Sequence, residues 1–235
     1  MRAASLGQQV FETLRDRILR GDLAAQSALP AERNLAQSLG VNRGALREGL
    51  QRLQQAGLIR IRHGDSTRIA AWQDQSGLEQ LPALLQLQPS QEQAALALGI
   101  MRLREDMAPT IAGLAAQRRQ GRQLAQLRQQ LVALQEAPHS KARLLAAHDY
   151  WDQLVLASSE LVYRLAWNSL RASYLPLQAL LAPVLDPEFR DLANLQDLQA
   201  ALEAGDADQA RHCAARHVAI GTQCIQQWLE RRAQE

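Results

Sequence analysis

The first third of this chain contains two helical patterns joined by a glycine and followed by a strand pattern. This order limits the folds that the segment can form. Apolar residues at helical spacing behind a proline predict one helix over 30–39. Gly40 suits the left-handed residue that ends a helix, and Asn42 is a good N-cap for the next one. A second apolar stripe predicts that next helix over 42–56. Two short helices joined by so tight a turn are typical of a helix-turn-helix.

The pattern after Gly57 changes from helix to strand. Residues 58–61 and 67–71 include β-branched side chains and flank the turn-forming segment 63–66. We therefore expect a β-hairpin wing, which would complete a winged helix-turn-helix over 1–72. The basic and histidine side chains of this wing are Arg60, Arg62, His63 and Arg68.

The second predicted helix carries arginines opposite its apolar stripe. Arg43 and Arg47 lie one turn apart and point the same way. A guanidinium fork can form two hydrogen bonds with a guanine edge or a phosphate, so such arginines suit insertion into the major groove of DNA. His63 and Gly64 at the wing tip could reach a minor groove or phosphates. The alternatives are a solvated basic face and an ordinary exposed loop histidine.

Residues beyond the wing show helical spacing throughout. A linker is expected at 73–78, and the Leu- and Ala-rich segments after it are broken by prolines and glycines. The predicted fold class is mainly α. It comprises a winged helix-turn-helix with a small β-hairpin wing over 1–72 and an all-α bundle of six to seven helices over 79–235. The segments with helical spacing are 78–87, 90–119, 121–136, 140–158, 160–182, 187–204 and 206–233.

Formal charge is divided unevenly along the chain. Residues 1–72 carry a net charge of +5, whereas the remaining residues carry −3. Basic charge concentrated in the helix-turn-helix part favours attraction to phosphate and predicts salt-sensitive binding.

The composition also bears on location and redox state. The chain has no apolar run long enough to span a bilayer and no secretion signal at its start, so we expect a cytoplasmic protein without a membrane partner. Cys213 and Cys224 are eleven residues apart in one predicted helix, roughly 16 Å along its axis. That separation is too long for a disulfide, so both are expected as thiols.

Motifs of catalysis are missing from the sequence. It contains no G-x-S-x-G elbow, phosphate-binding glycine loop, C-x-x-C pair or H-E-x-x-H helix. Each of these motifs holds a nucleophile, a phosphate or a metal at a fixed spacing. We therefore expect no catalytic residues and no enzymatic activity.

Three segments, in order, resemble the GntR superfamily of bacterial transcriptional regulators. They are L-P-A-E-R at 29–33, L-R-E-x-L-x-R-L at 46–53 and G-L-I-x-x-x-x-G at 57–64. R-H-G-D-S-T-R-I at 62–69 and S-G-L at 76–78 are similar to the FadR subfamily. The resemblance implies a homodimeric regulator that binds double-stranded operator DNA and responds to a small-molecule effector.

Residues that touch DNA follow from the same resemblance. Gly44 lies on the exposed face of the second helix, where relatives often carry a hydroxyl residue or proline. The DNA-binding residues are therefore expected to be Arg33, Asn42, Arg43, Gly44, Arg47, His63 and Gly64.

The helical part resembles the FadR/FCD-type effector domain. Many FCD domains hold a divalent metal through one Asp and three His. The four corresponding positions here are Ala147, Trp151, Leu195 and His217, so only His217 remains as a ligand. One ligand of four cannot hold zinc, so we expect neither a metal nor a cofactor. The FadR subfamily also lacks these metal ligands and binds long-chain acyl-CoA, so the resemblance implies an acyl-CoA effector.

A second interpretation keeps the DNA-binding module and changes the effector. His148 and Asp152 lie one helical turn apart and could join His212 or His217 as replacement metal ligands. The chain would then be a metal-dependent sensor of a small organic acid. Such pairs are also common as polar neighbours on a protein surface.

Arg104 falls where the family places an arginine that faces the ligand cavity. An arginine buried in a bundle needs an anion, either from a ligand or from a protein carboxylate such as Asp149 or Glu105. Aromatic residues could line the same cavity or could simply form the core. The candidate effector-binding residues are Arg104, Trp151, Tyr163, Trp167, Tyr174 and His217.

Overall fold

The chain divides into two units, Met1–Leu87 and Gln88–Glu235, each with its own core. A computed structural model describes residues 5–61, 66–87 and 91–234, with the side chains of 91–93 excepted. The helical bundle, the helix-turn-helix and the short β-hairpin confirm the predicted fold class.

The first unit contains four α-helices, two short 3-10 turns and one two-stranded sheet among its described residues. Asn42 caps α3 as predicted, because its Oδ1 accepts a hydrogen bond from the Ala45 backbone N–H at 2.8 Å. Gly40 has φ +65°, so it occupies the left-handed conformation expected between α2 and α3. The elements are α1 (Leu6–Leu19), α2 (Glu32–Ser38), α3 (Arg43–Gln55), β1 (Ile59–Arg60), β2 (Arg68–Ile69) and α4 (Leu81–Gln86).

The core of the first unit forms where α1 packs against α3. Gly49 permits this approach, since a Cβ there would lie 2.5 Å from Val10 Cγ1 and 3.1 Å from the Gly7 carbonyl oxygen. The strands pair antiparallel, with Ile59 opposite Ile69, and bury both side chains beneath the wing. This packing buries one face of α3 and leaves the face that carries Arg43, Gly44 and Arg47 exposed.

The boundary between the two units lies later than the predicted linker at 73–78. Residues 79–87 pack with the first unit, where Ala83 is buried in the core and Leu84 and Leu87 pack against it. Gln80 also donates a hydrogen bond from Nε2 to the Ala56 carbonyl at 3.2 Å. The apolar residues of α4 therefore complete the first core rather than begin the second.

The second unit contains seven α-helices among its described residues. α11 packs along α5, and both helices bury small side chains, among them Ala112 and Ala116 of α5 and Ala210 and Ala214 of α11. None of the helices described in either unit is long and apolar enough to cross a membrane. The helices are α5 (Gln91–Arg118), α6 (Gly121–Gln135), α7 (Ser140–Ala157), α8 (Leu161–Tyr174), α9 (Gln178–Arg190), α10 (Leu192–Ala204) and α11 (Ala207–Arg232).

The predicted helix 160–182 is interrupted in the structure. α8 ends at Tyr174, a 3-10 turn covers Leu175–Leu177, and α9 then runs through Pro183 and Pro187 to Arg190. Pro176 lies in that turn and has no backbone N–H to donate back to α8, so the α-helical hydrogen-bond pattern is interrupted there. The prediction that Pro183 and Pro187 break the helix was wrong; both are exposed, so water can solvate the carbonyls that lose a donor.

Candidate functional site

The exposed face of α3 gathers the residues expected to read DNA. Arg43, Gly44 and Arg47 are exposed, whereas Ala45 and Leu46 point into the core. A Cβ at Gly44 would meet only the Asn42 side chain, at 3.3 Å. Asn42 uses its side-chain oxygen as the helix cap, so its side-chain amide nitrogen is the group left for DNA.

Arg47 is held by an acidic residue that the sequence analysis did not single out. Its Nε donates a hydrogen bond to Glu32 Oε2 at 3.0 Å, and the two side chains are 68% and 45% exposed. An ion pair this exposed contributes about 1 kcal/mol or less, so a phosphate or a guanine edge can replace Glu32. Arg33 and Arg43 form no ion pair within the part of the chain that the structure describes.

The wing contributes two further arginines. Arg60 and Arg68 lie opposite each other in the antiparallel register, and both are exposed. Arg68 Nη1 donates a hydrogen bond to the Gln26 carbonyl at 3.0 Å. His63 and Gly64 lie outside the described residues, so their DNA contacts stay a prediction.

A buried ion pair joins α5 to α9 in the second unit. Arg104 donates two hydrogen bonds to Glu188, from Nη1 to Oε2 at 2.9 Å and from Nη2 to Oε1. The Glu188 side chain is fully buried, and that of Arg104 is 14% exposed. Glu188 is thus the carboxylate partner for which the sequence suggested Asp149 or Glu105; Asp149 is exposed instead.

The charge of Arg104 is maintained by this partner. Burial alone would lower the pKa of Arg104, but the Glu188 carboxylate more than offsets that effect and the pKa is raised. The pair is therefore a guanidinium bound to a carboxylate inside the bundle, with little net charge.

His217 and Trp151 stack beside the ion pair. Their ring centroids are 6.0 Å apart with 28° between the planes, and the Arg104 guanidinium lies 5.9 Å from the Trp151 ring. His217 Nε2 is 3.4 Å from Glu188 Oε1 but is not aligned for a hydrogen bond. Burial lowers the pKa of His217 although Glu188 opposes the effect, so the imidazole is neutral near pH 7.

His148 and Tyr174 complete the group, which we call the Arg104 cluster: Arg104, His148, Trp151, Tyr174, Glu188 and His217. The rings of His148 and Tyr174 are 4.5 Å apart. Burial, helped by the nearby Arg104 charge, lowers the pKa of His148 to about 3. Within the described residues, Trp151 Nε1, His148 Nδ1 and both His217 nitrogens are buried without a hydrogen-bond partner. Buried polar atoms normally have partners, so these atoms point to a ligand or water.

Among the described residues, neither Tyr163 nor Trp167 makes a hydrogen bond or a ring contact with the Arg104 cluster. Trp167 donates a hydrogen bond from Nε1 to Asp152 Oδ1 at 3.1 Å, and Arg164 binds the same oxygen at 2.7 Å. Tyr163 is half-buried on α8, and no hydrogen bond or ring contact joins it to another described residue. Arg104, Trp151, Tyr174 and His217 are therefore the expected effector residues that the fold brings together.

The positions considered for a metal do not converge. Ala147 and Leu195 are buried apolar residues in the core, and Asp152 is already bound by Arg164 and Trp167. His212 is exposed on α11. No group of three His, Cys, Asp or Glu side chains is arranged to hold a metal in the ranges that the structure describes.

Two family models match the chain, one in each unit. Residues 6–69 match the family described as bacterial regulatory proteins, gntR family, and residues 99–219 match the FCD domain. Across both units, the chain is 32% identical over 210 residues to the HTH-type transcriptional regulator Mce2R of Mycobacterium tuberculosis. That match covers 89% of this chain and 87% of the relative.

Other similarities are narrower or lie in the fold alone. A fatty acid metabolism regulator protein of Shewanella baltica is 46% identical over 63 residues, which are 27% of this chain and 26% of that protein. The solved structure of Lar, which controls the agr system of Listeria monocytogenes, has a TM-score of 0.61 at 14% identity and covers 97% of this chain and 99% of its own. Escherichia coli McbR/YncC has a TM-score of 0.50 at 20% identity, with 97% and 100% covered.

Proposed function

The chain belongs to the GntR family of bacterial regulatory proteins, with an FCD domain C-terminal to its DNA-binding module, and from this premise we propose that operator binding by a homodimer responds to a fatty acyl-CoA. Its similarity to Mce2R extends over both units, so the proposed role is transcriptional rather than catalytic.

The DNA-binding part of the proposal rests on the exposed face of α3. Arg43 and Arg47 are exposed on one face of a helix whose other face is buried, the arrangement that a recognition helix needs in a major groove. Arg33 at the start of α2 and the wing arginines add positive charge for phosphates.

The DNA test is a selection of preferred sites from random duplexes, followed by binding titrations. Arg43→Ala and Arg47→Ala should each lower affinity by about 1–3 kcal/mol. Arg128→Ala is the charge-matched control, because Arg128 is exposed on α6 in the second unit and pairs there with Glu203. If all three variants bind the selected site as the wild type does, α3 is not the reading helix.

The effector assignment rests on the pairing of Arg104 with Glu188. Because that guanidinium already binds a buried carboxylate, a free carboxylate ligand finds no unpaired cation in the cluster. The indole N–H of Trp151 is a buried donor without an acceptor and suits an uncharged carbonyl such as that of a thioester. The fatty acid regulator of Shewanella supports the link only over 63 residues, which are 27% of this chain.

Native mass spectrometry of the purified protein with palmitoyl-CoA, citrate and zinc tests the effector class. We expect mass gain from palmitoyl-CoA and none from the other two. Trp151→Phe should weaken palmitoyl-CoA binding by about 2- to 12-fold, the worth of one hydrogen bond. Trp167→Phe is the matched control, because its indole N–H already bonds Asp152. Binding of zinc with citrate, and indifference to palmitoyl-CoA, would instead identify a metal-dependent sensor of organic acids.

A further inference from the structure

Glu32 holds Arg47 at one edge of its guanidinium. Arg47 Nε donates a hydrogen bond to Glu32 Oε2 at 3.0 Å, and Arg47 donates no other hydrogen bond to a described residue. A guanidinium carries five N–H groups, so the four on Nη1 and Nη2 remain available for DNA. They form the end of the side chain, and two of them can bond O6 and N7 of one guanine. Arg47 can therefore bind a guanine while Glu32 keeps its hold on Nε.

Both residues stand on helices that the core of the first unit fixes. Glu32 is the first residue of α2, whose Leu35 and Ala36 are buried, and α2 packs against α3. Leu46, beside Arg47 on α3, is fully buried as well. A hydrogen bond between two fixed helices restricts the rotamers of a long side chain before DNA arrives. Arg47 therefore loses less conformational freedom when it binds a base.

Glu32 also changes the charge that Arg47 presents to phosphates. Arg33 and Arg43 form no ion pair with a described residue, whereas Arg47 does. An arginine paired with a carboxylate carries little net charge, so it gains less from the phosphate backbone. A guanine edge is recognised through N–H groups that the ion pair leaves available. Glu32 therefore weakens binding to phosphate, which every sequence offers, more than it weakens binding to guanine.

We propose that Glu32 is a positioning residue for base readout, which directs Arg47 to a guanine of the operator and lowers the affinity of the protein for other DNA. The inference rests on the proposed function, because it requires α3 to be the helix that reads the operator. It goes further by giving a role in sequence discrimination to an acidic residue that acts through Arg47.

Binding titrations of the full-length protein on two duplexes test this role. One duplex is the selected site, and the other lacks the G·C pair whose replacement weakens the wild type but not Arg47→Ala. We expect Glu32→Ala to lower the ratio of the two affinities about 3- to 10-fold, because the guanine contact loses part of its discrimination. Glu32→Gln keeps an acceptor oxygen, so it should retain more of this ratio than Glu32→Ala.

A random duplex and a salt series give a second measurement on the same proteins. Glu32→Ala should bind the random duplex more tightly than the wild type does and with a steeper salt dependence, because the released Arg47 binds phosphate. The double variant Glu32→Ala, Arg47→Ala should discriminate as Arg47→Ala does, because Glu32 acts through Arg47.

Glu48→Ala is the matched control. Glu48 is 45% exposed, as Glu32 is, and it pairs on α3 with Arg52 at 2.8 Å. Its loss removes the same charge from the first unit without releasing Arg47, so the ratio of affinities should keep its wild-type value. Unchanged circular dichroism verifies that each variant folds.

An unchanged ratio for Glu32→Ala would overturn the proposal, as would an equal loss for Glu48→Ala. The proposal would also fail if no G·C pair depended on Arg47, since Arg47 would then bind phosphate alone. These results leave the proposed function intact as long as the wild type prefers its selected site. If the wild type selects no site from random duplexes, the proposed function fails before any variant is made, and the role of Glu32 fails with it.

Discussion

The pairing with Glu188 determines what Arg104 can bind and how far a substitution of Arg104 would destabilise the bundle. The carboxylate is fully buried, and the described hydrogen bonds to it come from Arg104 alone. Arg104 is therefore part of the structure of the bundle as well as a candidate for the effector site. A substitution there alters stability and ligand binding together, so the two effects have to be measured separately.

Arg104→Ala is expected to destabilise the second unit by about 3–5 kcal/mol, because it leaves the Glu188 carboxylate unpaired in the interior. The double variant Arg104→Met, Glu188→Leu should recover most of that loss, since it removes both charges and keeps the volume filled. Urea unfolding followed by tryptophan fluorescence measures both, because Trp151 lies in the Arg104 cluster. Equal stability of the double and single variants would show that the unpaired charge is not the cause.

The sequence identified Arg104 as an arginine that needs an anion but did not identify the anion. Glu188 is 84 residues further along the chain, and only the packing of α9 against α7 and α11 brings it close. A signal was present, because Glu188 stands between the apolar Leu185 and Phe189 on the buried face of its helix. Exposed Glu32, which holds Arg47, left no such signal in the pattern.

Helix ends with local causes were predicted well, whereas those set by packing were not. Gly40 and Asn42 end and begin helices through their own backbone and side-chain chemistry, and the structure places both as expected. Local signals did not predict the course of α9, since this helix continues through Pro183 and Pro187. Tertiary contacts that bury Leu185 and Phe189 hold this helix together despite its missing donors.

Two glycines inside helices of the second unit should respond to alanine in opposite ways. Gly99 on α5 has open space around it, so Gly99→Ala should stabilise by about 1 kcal/mol through helix propensity. Gly221 on α11 faces Glu188, and a Cβ there would overlap Glu188 Oε2 and lie 3.0 Å from Arg104 Nη1. Gly221→Ala should therefore destabilise by about 1–3 kcal/mol, because the buried ion pair has to move.

Thermal unfolding monitored by circular dichroism compares these two variants, with Gly99→Ala as the matched control. The expected result is a higher midpoint for Gly99→Ala and a lower one for Gly221→Ala. A raised midpoint for both would mean that the Arg104–Glu188 pair can shift away from α11 without loss. The ion pair would then be less constrained by α11 than its packing indicates.

The two units match different family models, the gntR family in the first unit and the FCD domain in the second. The Shewanella fatty acid regulator matches only 27% of this chain, whereas the similarity to Mce2R extends over 89%. Formal charge also differs between the two units, but the difference is smaller than the one counted over residues 1–72 and 73–235. Asp74 and Glu79 fall in the first unit by the structural boundary, which makes its formal charge +3 and that of the second −1.

Acid should weaken the second unit through its two buried neutral histidines. Burial lowers the pKa of His148 to about 3 and also lowers that of His217 below its ordinary value near 6.5. In the unfolded chain both regain ordinary values and bind protons below about pH 6.5. The contribution of neutral His148 and His217 to folding stability is thus fully present above about pH 6.5 and is lost as the pH falls towards their folded-state pKa values.

Between about pH 6 and pH 4.5, each such histidine should lower the free energy of unfolding by up to about 1.4 kcal/mol per pH unit. His148→Phe keeps a ring beside Tyr174 and removes one titrating group, so its stability should fall less steeply with acid than that of the wild type. His212→Gln, which changes an exposed histidine on α11, is the control and should retain the wild-type slope. Urea titrations across this range measure the slopes. Parallel slopes for all three proteins would mean that His148 is protonated in the folded bundle. The Arg104 cluster would then hold an additional positive charge, which only an anion could balance.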